Sequence, residues 1–122
     1  MPQRTPAAAF LTGAACLFGF AALFHLWRIL NPQAADPSTA LRHGVFIAIN
    51  LVSAVCLWIR PPVFKYGFGL LVFQQVYSHG GSAWEAWFEH RQVDYVSLVI
   101  VVLLPATWLI LWRQSPETLG GE

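Results

Sequence analysis

The chain has 122 residues, 57% of them hydrophobic and 11% charged, with a mean hydropathy of +0.54. A soluble domain is about one-quarter charged, so these few charges cannot coat a water-facing surface, and the composition indicates an integral membrane protein. The net charge is +1 with no basic run, which excludes the electrostatic footprint of a nucleic-acid binder.

The first apolar segment runs over about 6–30. Arg4 precedes it, and Gly13-Ala14-Ala15-Cys16 faintly resembles a lipoprotein cleavage box. Such boxes favour a large aliphatic residue where Gly13 stands, and the apolar run continues to Leu26, so a retained span is expected rather than a cleaved leader. Asn31-Pro32 stops this span. Asp36-Pro37 offers an N-cap followed by proline at the first helical position, opening a second span over 37–59. Arg60-Pro61-Pro62 is a very short link, so a third span over 62–80 lies beside the second and runs back. A fourth covers 95–112, capped by Asp94 and interrupted by Pro105, which predicts a kink. Each segment of about 20 residues matches a hydrocarbon core of ~30 Å. Helices are required there because lipid offers no partner for unpaired backbone groups.

Gly80-Gly81 predicts a break after the third span. Ser82-Ala83-Trp84-Glu85 reads as a capping box and predicts a short helix over 82–91, with Trp84, Trp87, Phe88 and Arg91 on one face, as in a helix lying in the membrane interface. The predicted fold is therefore an all-α membrane protein, a single antiparallel bundle of four transmembrane helices with a short outer interfacial helix. Placing Arg4, Arg60, Lys65 and Arg113 in the cytoplasm, against Arg28, Arg42 and Arg91 outside, puts both termini on the cytoplasmic side of the inner membrane.

This topology brings the four histidines to one half of the membrane. At a rise of ~1.5 Å per residue, His25, His43 and His79 fall within roughly 10 Å of one depth, and His90 lies in the outer loop. Ala8, Thr12, Ala15, Gly19 and Ala22 form a stripe of small residues leading to His25, which turns it toward a neighbouring helix. His43, Asn50 and Ser53 share a face of the second span. Gln75 and His79 share one in the third, with Gln74 and Ser78 beside it. Polar side chains at such depths are costly toward lipid and are expected to turn inward and meet. His25, His43, His79, Gln75, Asn50 and Ser78 thus line a candidate pocket, with Gln75 and Asn50 orienting an imidazole, while Arg42 is placed to hold an anion or headgroup.

Several readings follow. The polar residues are interhelical hydrogen-bond glue in an accessory or assembly protein with an outward-facing polar pocket. Alternatively, His25, His43 and His79 ligate a transition metal or haem, with Glu85, Glu89 or His90 reaching in from the loop. No HxxxH or HExxH pair supports this, and each ligand comes from a different element. A small-solute or proton path is the third, weakened because no carboxylate or lysine stands mid-membrane. Catalysis is not expected: no GxSxG elbow surrounds Ser78, and Cys16 and Cys56 lie at different depths, as small apolar residues rather than a redox pair. So small a bundle has much lipid-facing surface and is expected to self-associate or join a larger membrane complex.

Overall fold

The computed structural model describes residues 5–31 and 37–114. Their regular structure is entirely helical: α1 (Pro6–Leu30), α2 (Pro37–Ile59), α3 (Phe64–Phe88) and α4 (Tyr95–Gln114). α1, the 40–59 stretch of α2, and α4 are long and apolar enough to cross a membrane. α3 is not among them, because Gln74, Gln75, Ser78 and His79 interrupt its apolar run.

The chain forms two compact units, residues 1–61 and 62–122. The first pairs α1 with α2. Thr5 caps α1, its hydroxyl accepting from the Ala8 N–H at 3.3 Å, with Pro6 at the first helical position. The small-residue stripe does what its spacing implies within this unit. Ala15 and Ala22 are buried with Leu11 and Ala14, and α2 contributes Leu57, Asn50 and Ser53. At one end the Arg60 guanidinium donates to the Ala8 carbonyl at 3.3 Å. At the other, His25 meets His43. The two helices therefore run in opposite directions. α2 begins at Pro37, and the Asp36 cap lies outside the described residues, as do Arg4 and Pro32. Cys16 is exposed and Cys56 half-buried, and both are free.

The second unit pairs α3 with α4 around Phe68, Val72, Leu104, Leu111, Ser97 and Thr107. Trp108 lies flat against Gly69, where an added Cβ would stand 3.0 Å from three indole atoms. Its Nε1 donates to the Lys65 carbonyl at 2.9 Å. The Lys65 ammonium sits 4.3 Å from the Trp112 ring centre, a cation–π contact that anchors this end. α4 continues through Pro105.

The predicted break at Gly80-Gly81 and the separate helix over 82–91 are corrected: α3 runs unbroken to Phe88. Neither glycine takes a positive φ, and a helical glycine costs only about 1 kcal/mol, too little to stop a helix that neighbouring turns support. The Ser82 hydroxyl does not cap a new helix; it donates back to the Ser78 carbonyl at 3.2 Å. The chain turns only afterwards, where Arg91 takes φ 53°.

Large apolar side chains face outward on every helix. Phe20, Leu70, Phe73 and Val102 are each more than two-thirds exposed. Exposed apolar area costs ~25 cal/mol per Å² in water and nothing comparable in lipid.

Candidate functional site

The described structure builds its polar chemistry separately in the two units. In the first, His25 reaches from the penultimate turns of α1 and His43 from the second turn of α2. Their Nδ1 atoms are 2.9 Å apart. The ring centroids are 5.1 Å apart, close to that separation plus two ring radii, so the nitrogens face each other nearly head-on. One Nδ1 must carry a proton and the other must offer its lone pair. The ring of His25 also stacks on Phe46 at 5.1 Å and 14°, and meets the edge of Phe24 at 5.7 Å. These aromatic walls fix its orientation. The Arg42 guanidinium carbon lies 5.8 Å from the same Phe46 ring, so one phenyl group carries both.

The chemistry of such a pair is narrow. With one proton between the Nδ1 atoms it is neutral. A second proton on the donor ring's free Nε2 makes a charge-assisted N–H···N bond, which is stronger. A further proton has to occupy the accepting Nδ1 and breaks the contact. The pair thus holds one extra proton and resists two. It also passes a proton: one enters at the first Nε2, the shared proton shifts between Nδ1 atoms, and one leaves from the second Nε2.

The same geometry limits metal binding. Two imidazoles on opposite sides of an ion need nitrogens about 4 Å apart at metal–nitrogen distances of ~2.0–2.1 Å. At 2.9 Å and head-on, His25 and His43 leave no such space. To chelate, both rings would have to turn so that their lone pairs converge beside the N···N line.

In the second unit His79, two and a half turns before the end of α3, finds a partner absent from the sequence reading. Its Nδ1 lies 3.0 Å from the Ser97 hydroxyl. That hydroxyl donates to the Asp94 Oδ2 at 2.5 Å, a short charge-assisted bond. The Asp94 Oδ1 accepts from the Ser97 backbone N–H at 3.0 Å, making Asp94 the N-cap of α4 as expected. Since the serine proton goes to the carboxylate, His79 must donate from Nδ1, which leaves Nε2 as its acceptor. Ser97 is 2% exposed, so it bridges rather than attacks. The Ser97 hydroxyl and N–H together hold the Asp94 carboxyl below its ordinary range, and His79 adds to this. The sequence signal was the Asp-x-x-Ser capping pattern, which aims Ser97 along the first turn of α4.

The other candidates are more dispersed. Asn50 is buried but donates to the Phe46 carbonyl one turn back in its own helix, at 2.7 Å. Thr12 and Thr107 do the same to Ala8 and Leu103. Gln75 donates to its neighbour Gln74 at 2.9 Å, and Ser78 is exposed. Across helices, His25 thus meets His43 and His79 meets Ser97, whereas Asn50, Gln75 and the threonines bond within their own helices. Glu85, Glu89 and His90 place ligand atoms within 4.8 Å of one another, all on exposed side chains. Arg42 is exposed.

No family model, no curated protein and no solved structure matches the chain, so functional inference rests on the residues themselves.

Proposed function

We propose that the chain is a small four-span protein of the inner membrane, with both termini cytoplasmic, and that it serves as an accessory or assembly component, within its own oligomer or a larger membrane complex. Its working element in this reading is the His25–His43 pair, a proton-holding site at the membrane edge away from the cytoplasm. The three apolar helices and the outward-facing aromatic and aliphatic side chains support residence in lipid. α3 is the fourth span, with Gln74 and Gln75 bonded to each other and His79 to Ser97. The basic residues Arg60, Lys65 and Arg113 support the orientation.

The head-on Nδ1 contact at 2.9 Å carries the reading, because two imidazoles held by aromatic walls and joined through one proton have no simpler use than to keep or pass it. A titration followed through the histidine ring signals tests it. On acidification the pair is expected to take up one proton and to resist a second. Two independent single-proton titrations would contradict it. For the assembly role, native mass measurement in mild detergent is expected to find more than one chain per particle; a monomer at every detergent level would contradict it. A C-terminal reporter that reads periplasmic would reverse the orientation.

The second reading is a histidine-held metal or haem. It is favoured by the convergence of His25 and His43, but needs both rings to turn. Metal analysis and a visible spectrum of the purified protein decide it: a stoichiometric ion or a Soret band supports it, and the lack of both sinks it.

A further inference from the structure

We infer that the end of the first hairpin bearing Arg28, Arg42, His25 and His43 binds a phosphate ester anion. Four observations converge there. His25 and His43 meet at 2.9 Å, Arg28 stands about one turn after His25 on α1, and Arg42 directly precedes His43 on α2, so four protonated or protonatable groups gather at one end of this hairpin. Arg42 lies over Phe46, the same ring on which His25 stacks, so guanidinium and imidazole are both held around one phenyl ring. α2 begins at Pro37 at this end, and the positive dipole end of a helix start favours an anion. Finally, residues 1–61 hold four arginines and a single carboxylate, Asp36, in the α1–α2 connection outside the described residues. One carboxylate cannot neutralise both arginines, even if it pairs with one.

The ligand chemistry follows from the donors. Two guanidinium forks at a membrane edge match a tetrahedral oxyanion better than a lone carboxylate. Phosphate presents several oxygens to several donors at once. An anionic phospholipid headgroup and a soluble phosphate ester share this chemistry. The inference rests on the proton-holding reading in one respect only: a bound anion favours the pair's charged state, so binding and proton uptake strengthen each other.

The test uses the full-length protein in nanodiscs of phosphatidylglycerol and phosphatidylcholine in equal amounts, with retained lipid counted by native mass spectrometry. Selective retention of phosphatidylglycerol is expected. Arg28→Gln or Arg42→Gln should each weaken it about fivefold, and the double variant about twenty-five-fold. Arg91→Gln, an exposed arginine of the other unit, should leave it unchanged. No selectivity for phosphatidylglycerol, or an equal loss in Arg91→Gln, overturns a lipid site. A parallel titration of the detergent-solubilised protein with inorganic phosphate separates the sources. Binding there without lipid selectivity assigns a soluble anion, and binding in neither arm overturns the inference. The Arg28→Lys/Arg42→Lys variant guards against misfolding, since it should keep helix content and most retention. His43→Ala should weaken retention less than either arginine variant at neutral pH, and should lose the rise in retention on acidification. If arginine dependence survives and that rise is absent in the parent, the proton reading fails and the anion site stands.

Discussion

Both hairpins hold imidazoles in hydrogen bonds between their helices, but with opposite electrostatics. His79 is tied through the Ser97 hydroxyl to the Asp94 carboxylate, so its Nδ1–H direction is set and a negative charge stands behind it. His25 faces another imidazole, with two arginines near and no carboxylate on α1 or α2. A carboxylate-backed histidine is oriented and static. An imidazole pair is symmetric enough to exchange its proton and sensitive to any anion that arrives. The histidines are therefore not equivalent, and among the described residues the first unit places two of them in contact.

The largest expected effect comes from breaking the second hairpin while sparing the first. Gly69→Leu drives a side chain into the Trp108 indole, which cannot retreat without losing its bond to the Lys65 carbonyl. A loss of about 1–3 kcal/mol is expected from overpacking, read as a lower melting temperature in detergent. The His25 and His43 ring signals should not move.

Next is Ser97→Ala. It removes the bridging hydroxyl but keeps the backbone N–H that Asp94 caps. A smaller loss of stability than for Gly69→Leu is expected, because the part-buried His79 Nδ1–H and Asp94 Oδ2 lose their partner. The His79 ring should lose its preference for the Nδ1–H tautomer, which ring-nitrogen shifts report directly.

The double-mutant cycle of His25→Ala and His43→Ala should give a smaller coupling, about 0.5–1.5 kcal/mol, as for one partly buried hydrogen bond. Zero coupling would mean that the contact does not stabilise the hairpin.

The pH dependence of Asp94 sharpens the contrast further. Its carboxyl is held below the ordinary value near 3.8 by the Ser97 hydroxyl first and the Ser97 N–H second. A depressed folded-state value means that the unfolded chain binds the proton more readily. The resulting stabilisation is complete above that ordinary value and is lost as the pH falls through the folded one. Stability curves of the parent and Asp94→Asn should therefore converge on acidification below the carboxylate range. An unchanged gap would contradict the capping geometry.

Much of the frame was legible from local signals. Pro6 and Pro37 open α1 and α2 at the residues expected, and Asp94 marks the start of α4, because prolines and caps act within one turn. The small-residue stripe identified the face α1 turns to α2. The end of α3 was misread because a glycine pair is a weak breaker when the turns on both sides are good helix. The site was half legible. Helical phase and span direction brought His25 and His43 to one level, but no pattern in a single helix says which residue on its neighbour will be met. Ser97 was therefore passed over. Asn50 was expected to orient an imidazole, although an amide in an apolar helix has a nearer acceptor in its own carbonyl one turn back.

The His25–His43 proton bond is tested most directly by ring-nitrogen NMR of the labelled protein in lipid. If one proton joins the two Nδ1 atoms, a scalar coupling across the hydrogen bond should connect the His25 and His43 nitrogens near neutral pH, and disappear in His43→Ala and in strong acid. Two histidines with separate, uncoupled nitrogen signals at every pH would contradict the shared proton and the function built on it.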